Sequence, residues 1–405
     1  MTDLAVLLQR HGYEAIDVDR RARDGGSTYA SRLLGRRTVI LGGARGAKAF
    51  YDESLVERRG AVPAPLAWLI FGRGAVHGLD DDPHRDRKLM FLEALSVEKV
   101  AALCADVRRR LEAARDGWIG RDVSLHEELV AVYGGASLCW AGIDLPEEEA
   151  RRLSRRLAAI VDGFGFTAAA YPAAWRERLR VNHWAARLVR DVRAGKVSAP
   201  PGSAVDEIAG NDRLDARTAG VELVNVLRPT VAVSWLGTFA GAALADHPAW
   251  RRRLADGGAA GERYAFAQEV RRTTPFVPAL AGRARRSRRI GGVDVHRGDR
   301  VVLDVIGIDH DPAVWADPDE FRPDRFLTRE PGAFEMVPQG GGHPSGHRCP
   351  GESIALGLLA ETARVLAITD YDVTSSGRPD LTRIPTLPQG GLRLSGVRLP
   401  VAQSS

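Results

Sequence analysis

Pro338–Glu352 reads PQGGGHPSGHRCPGE, with a lone cysteine behind a glycine-rich loop and directly before a helical run. At that position backbone N–H groups and the helix dipole favour an anion and lower the pKa of the Cys349 thiol. A thiolate is what a haem iron needs for O–O bond cleavage, because it pushes electron density through the metal. The glycines Gly340–Gly346 let the backbone lie flat against a large planar group. Taken alone, the segment fits a buried, inert cysteine equally well.

Two further segments narrow the choice. Glu269-Val-Arg-Arg272 sets a carboxylate and a guanidinium at i and i+3, on one helix face. Phe321–Phe326 (FRPDRF) then supplies Arg325. A Glu-Arg helix pair is common. The order Glu-x-x-Arg, Arg-Pro-Asp-Arg-Phe, glycine-rich loop with cysteine is not, and it resembles the cytochrome P-450 superfamily over nearly the whole chain. The resemblance implies one haem-thiolate domain over 1–405, mainly α with small β sheets. It also implies haem b between a long central helix and the Cys349 helix, with iron ligated by Cys349. Glu269, Arg272 and Arg325 would interlock behind the haem in a structural role.

The departures from the family pattern define a subclass. Most members have Phe-Gly-x-Gly-x-Arg/His-x-Cys-x-Gly. Here His347–Gly351 keep the end, the Phe is missing and the loop is longer. Oxygen-activating members carry an acid next to a Thr on the central helix, a relay for protons. This chain has NVLRPTVAVSW at Asn225–Trp235, with Arg228-Pro229 in that region. An internal proline costs a helix about 3 kcal/mol. A buried arginine needs a counter-ion, since an unpaired buried charge is very costly. Glu222, six residues earlier, lies on a different face. A remote acid or a route to the surface would satisfy Arg228. So would a substrate carboxylate, which a guanidinium grips bidentately.

Arg228-Pro229 together with the long cysteine loop resembles the fatty-acid peroxygenase branch. That likeness implies oxidation of long-chain fatty acids by hydrogen peroxide at the alpha and beta carbons, giving hydroxy acids or terminal alkenes. The carboxylate held by Arg228 would take a proton from peroxide and return it to the distal oxygen, so no redox partner is required. A conventional NAD(P)H-driven monooxygenase is the alternative, and a non-catalytic haem-binding protein a more distant one. Phe71–Gly78 resembles the loop over the distal face, where His77 stands in place of the usual Gln, as in members that decarboxylate. His77 alternatively bonds a backbone carbonyl or the haem edge, and Phe71 packs beneath it or belongs to the core. His84 and Lys88, four apart, with Arg87 and Arg348, are candidates for haem propionates. Phe276 and Val277 would face the acyl chain by resemblance, and Phe164 and Phe166 are further candidate pocket walls.

The elements that must position these groups are mostly helical. Asp86–Arg115, Glu147–Asp162, Trp175–Arg193, Gly261–Thr273 and Gly351–Ile368 show apolar residues at three- and four-residue spacing. Ala44–Glu57 also reads as helix. Asp215–Asp246 predicts a helix of roughly 48 Å, too weakly hydrophobic to span a membrane. Arg37–Leu41, Val293–Val295 and Arg300–Val305 read as strands, and Tyr371–Val401 as short strands with turns. The chain has 405 residues, net charge +5, 44% hydrophobic and 27% charged residues, ample for a large core. No nucleic-acid signature accompanies the mild basicity, which would draw in carboxylate-bearing substrates. Three sparse cysteines and no leader or membrane-anchor pattern predict a reducing, cytoplasmic setting.

Overall fold

Asp215 accepts a hydrogen bond from the Thr218 N–H at 2.7 Å and so caps the longest element, the central helix Ala216–Asp246. Pro229 lies inside it, and the helix runs on unbroken. The ring removes the N–H that would bond the Asn225 carbonyl. Thr230 Oγ1 donates to Val226 O at 3.1 Å in the next position. Almost every face of this helix is buried, as expected of one that is apolar all round. Helices Leu125–Trp140, Glu147–Asp162, Ala170–Arg193 and Glu352–Ala367 pack around it. The structure, a computed structural model, describes residues 2–165 and 170–398. Among these, no helix is long and apolar enough to cross a membrane.

Helix Ala260–Thr273 stands against Glu352–Ala367 and carries the Glu-x-x-Arg pair. The stretch expected as one helix over Asp86–Arg115 is two, Asp81–Ala94 and Val97–Asp116. Ser96 separates them, capping the second through Lys99 N–H. The helix expected over Ala44–Glu57 stops at Phe50. Asp52 then takes the Ser54 N–H at 2.9 Å in a turn, and Val56–Glu57 joins a sheet.

That sheet has five strands in the order Tyr29–Leu33, Arg36–Leu41, Arg300–Asp304, Ala279–Ala284, Val56–Glu57. Its one parallel pair registers Thr38 with Arg300 and Leu41 with Leu303. Val123–Ser124, Gln389–Arg398 and Asp370–Gly377 form a second sheet, and Arg288–Ile290 with Val293–Val295 a hairpin. The first sheet ends at Asp304, where the chain turns into the short helix Val305–Asp309 beside the cysteine loop.

Candidate active site

Cys349 is placed by a chain of contacts that starts on the Glu-x-x-Arg helix. Its N–H donates to Gln339 O at 2.9 Å. Arg271 holds the Gln339 side chain at 2.6 Å and Glu352 at 2.7 Å. Arg271 is buried, and the sequence pattern did not single it out. The thiol departs from expectation. Burial pushes its pKa up, and the adjacent Glu352 carboxylate acts in the same direction. The Gly351 N–H, Lys88 and Arg271 pull it down without reversing the sign. The helix N-terminus alone therefore does not make a thiolate here, whereas a bound metal deprotonates a coordinating thiol outright.

Behind the loop, Glu269 and Arg272 are both fully buried and meet through two bonds, at 2.9 and 2.8 Å. Arg325 reaches Glu269 Oε1 at 3.2 Å, and the Arg322 N–H does so at 2.7 Å. The spare N–H groups of Arg272 bond the carbonyls of Asp309, Pro318 and Glu320. One carboxylate thus joins two guanidinium groups and fastens the meander to the helix.

Arg228 is buried on the central helix, and among the described residues it has neither an ion pair nor a hydrogen bond. Burial first, then the neighbouring Arg178, draw its pKa down to about 9. Its guanidinium lies over the Phe164 ring at 5.2 Å. Phe166, the other aromatic expected there, falls outside the described residues. Glu222 faces away, as its spacing predicted. It accepts from Val76 N–H at 2.8 Å and from Arg87 Nη1 at 2.5 Å. Glu222 is thus the counter-charge of Arg87.

His77 stacks on Phe71 with centroids 4.2 Å apart and planes at 13°. Desolvation, followed by Arg228, Lys88, His347 and Arg178, lowers its pKa to about 3, so the imidazole is neutral. The His77 side chain is solvent-accessible. Cys349 is half-buried. The loop between them and the helix leaves no room for a side chain at Gly72, which has φ +90°. A Cβ there would stand 2.1 Å from Arg178 Nη2 and 2.6 Å from Val221 Cγ1. Gly72→Ala is expected to lower stability by about 1–3 kcal/mol, read as a drop in the chemical-denaturation midpoint. An unchanged midpoint would show that the loop yields freely.

Several buried cationic and imidazole groups lie near the cysteine loop. Lys88 is buried, its ammonium donates to Arg348 O alone among the described residues, and burial lowers its pKa to about 8. Arg58, which sequence reasoning missed, donates to Phe50 O at 3.3 Å and keeps Nη1 unpartnered. His84 has an unpartnered Nδ1 and stacks on His347 at 3.9 Å. Arg348, by contrast, is paired with Glu352 at 2.6 Å. Glu53, His84 and His347 bring donor atoms within 4.8 Å of one another. The two imidazoles stack with their planes at 28°. A thiol, a neutral histidine and two anion-free cations fit a haem with its propionates.

Phe164 and Phe276 meet Ala232 and Trp235 in one apolar cluster, past Arg228 along the helix. Tyr13 Oη fixes the Phe276 carbonyl at 3.0 Å. Val277 borders a small cavity of about 40 Å³ together with Leu236, Phe276 and Gln339. A larger solvent-facing cleft of about 900 Å³ lies between Tyr13, Phe239, His247 and Phe321. Neither Cys349, Arg228 nor His77 lines it, so size does not mark the chemistry here.

The sequence profile of the cytochrome P450 family matches residues 264–359, which include Glu269, Arg272, Arg325 and Cys349. Xanthotoxin 5-hydroxylase CYP82C2 of Arabidopsis thaliana is 36% identical over 132 residues, 30% of this chain and 25% of that protein. Putative cytochrome P450 137 of Mycobacterium tuberculosis is 36% identical over 126 residues, 30% of this chain and 26% of that protein. The chain thus spans about a quarter of the length of the curated relatives it matches. Solved structures match throughout. Cytochrome P450SP alpha (CYP152B1) in complex with (R)-ibuprophen shares 36% identity at a TM-score of 0.93, over 98% of this chain and 100% of that one. A variant of cytochrome P450 OleT in complex with arachidonic acid shares 30% at 0.94, over 99% and 98%. With that likeness extending from the cysteine loop to the whole fold, the chain belongs to the cytochrome P450 family, whose members carry haem b on a cysteine thiolate, here Cys349.

Proposed function

We propose that this protein is a haem-thiolate peroxygenase, in a single domain over 1–405, that uses hydrogen peroxide to oxidise long-chain fatty acids at the alpha and beta carbons. One observation carries the reading: Arg228 is buried beside Pro229 with no counter-charge among the described residues. A carboxylate supplies that charge and two parallel hydrogen bonds. The solved neighbours bound to arachidonic acid and ibuprophen both hold carboxylic acids. Some curated relatives are named hydroxylases or monooxygenases, but the family profile begins at residue 264 and ends at 359. It therefore covers the shared scaffold and leaves out Arg228 and His77.

When bound, the haem supplies the redox chemistry that splits peroxide and delivers its oxygen. The chain's residues supply binding and proton control. Arg228 fixes the substrate carboxylate, which moves the peroxide proton between its two oxygens. Thr230 is tied to Val226 O and Pro229 has no N–H, so neither offers a proton relay of its own. Anchoring brings the first carbons of the chain within reach and turns a bimolecular encounter into an oriented one. Phe164 and Phe276 line the way for the acyl tail, with Val277 and Phe71 nearby. Neutral His77 can hydrogen-bond a substrate oxidised at its beta carbon and steer it toward the alkene. Lys88, His84 and Arg348 stay our candidates for the propionate edge, with Arg58 added. Three unpaired cysteines suit a reducing cytoplasm.

The test is turnover of a long-chain fatty acid by purified haem-loaded protein and hydrogen peroxide without reductase, with products read by gas chromatography–mass spectrometry. Hydroxy acids or terminal alkenes support the reading. Product that appears only with a reductase system would assign the protein to the conventional monooxygenases. His77→Gln is expected to lower the alkene-to-hydroxy-acid ratio by about tenfold, and an unaltered ratio would make His77 a bystander.

A further inference from the structure

The loop carrying His77 stands on the central helix with two feet. The first is Gly72, wedged against Val221 and the Arg178 guanidinium. The second is the Val76 N–H, which donates to Glu222 Oε1 at 2.8 Å. Val221 and Glu222 are consecutive, and both lie about two turns before Arg228 on the same rigid element. Above the feet, Phe71 and His77 close the loop by stacking. Glu222 is fully buried, and its two oxygens are used: Arg87 Nη1 and Val76 N–H on one, Asn225 Nδ2 at 3.0 Å on the other. A buried carboxylate is costly to keep, and here it joins the central helix, helix Asp81–Ala94 and the loop at one point.

We propose that Glu222 is a positioning residue: by holding the Val76 N–H it fixes the distance between the His77 imidazole and a carboxylate anchored on Arg228, and so sets the partition between alkene and hydroxy acid. The inference rests on the peroxygenase reading given above. Arg228 locates the substrate and the loop locates the imidazole, and both are referred to one helix. Contact between the imidazole and the substrate depends steeply on that separation, and a misplacement of about 1 Å costs up to about a hundredfold.

Three variants separate position from charge. Glu222→Gln keeps an acceptor at full reach and removes the charge. Glu222→Asp keeps the charge and falls one methylene short of Val76. Glu222→Ala removes both, and if it fails to fold the other two carry the test. Positioning predicts a wild-type product ratio in Glu222→Gln and a fall of about fivefold in Glu222→Asp, the worth of one buried hydrogen bond. Fatty-acid affinity, followed by the haem spin-state change, should stay within about threefold in both, because Arg228 is untouched. Amide hydrogen exchange at Val76 should speed up in Glu222→Asp but not in Glu222→Gln. The proposal is overturned if Glu222→Gln loses the ratio while Glu222→Asp keeps it, since charge alone would then matter. It is equally overturned if Val76 exchange is the same in all variants. Should wild-type protein give no peroxide-driven product, the peroxygenase reading fails, and Val76 exchange still decides whether Glu222 holds the loop.

Discussion

Arg228→Ala should abolish peroxide-driven turnover to within a thousandth of wild type or less, and weaken fatty-acid binding. Two losses add. The first is the anchor, a charge-assisted fork in a buried site, where removing one partner costs about 2–5 kcal/mol. The second is the proton transfer that the anchored carboxylate would perform under the proposed function, worth about 10²–10⁴-fold in rate. The two separate experimentally. Arg228→Lys returns a cation but no fork, so binding should recover more than turnover. A fatty amide offered to wild-type protein keeps the acyl chain and lacks the acid–base group, so it should bind weakly and yield no product. Wild-type kinetics in Arg228→Ala would remove the basis of the proposed function. Burial also makes the variant informative about stability. Losing an uncompensated guanidinium relieves desolvation, so Arg228→Ala should unfold no more easily than the parent in the absence of fatty acid.

Glu269→Ala should prevent assembly of the haem-loaded protein. Its carboxylate is the shared counter-charge of Arg272 and Arg325, and Arg272 is fully buried beside it. Breaking a buried pair by removing one partner costs about 3–5 kcal/mol, a large part of a typical folding stability of about 5–15 kcal/mol. The damage would spread to Cys349, because the same helix carries Arg271, which holds Gln339 and Glu352. The measurement is Soret absorbance per mole of purified protein together with the denaturation midpoint. Glu269→Gln keeps acceptor geometry and should fall between. A Glu269→Ala protein with full haem content would show that the knot is dispensable.

The readable parts of this molecule were those whose spacing is local. Glu269 and Arg272 are three apart on one face, and Cys349 directly precedes its helix, so both stand out in the chain. The central helix was placed within one residue, because Asp215 caps it and its apolar run has no competitor. Failures came where a small local signal outweighed the periodic one. Ser96 splits a continuous pattern by capping a new helix, and Asp52 turns the chain after Phe50. Ala279–Ala284 (ALAGRA) lacks β-branched residues and becomes a strand only through its neighbours. The contacts of Glu222 with Val76 and of Arg271 with Gln339 were invisible for another reason. They join residues far apart in the chain, and nothing in either partner's surroundings names the other. The raised thiol pKa of Cys349 was missed because burial is a property of the fold, whereas a helix start can be read from sequence.

The uncompensated Arg228 also bears on what leaves the protein. A hydroxylated acid keeps its carboxylate, and with it the ion pair that brought the substrate in. A terminal alkene has given up that group as carbon dioxide and retains only the apolar wall of Phe164 and Phe276. Under the proposed function the two products would therefore depart from unequal grips, the alkene readily and the hydroxy acid slowly. Accumulating hydroxy acid would compete with fresh substrate for the same guanidinium, so the hydroxylating branch would throttle itself while the decarboxylating branch would not.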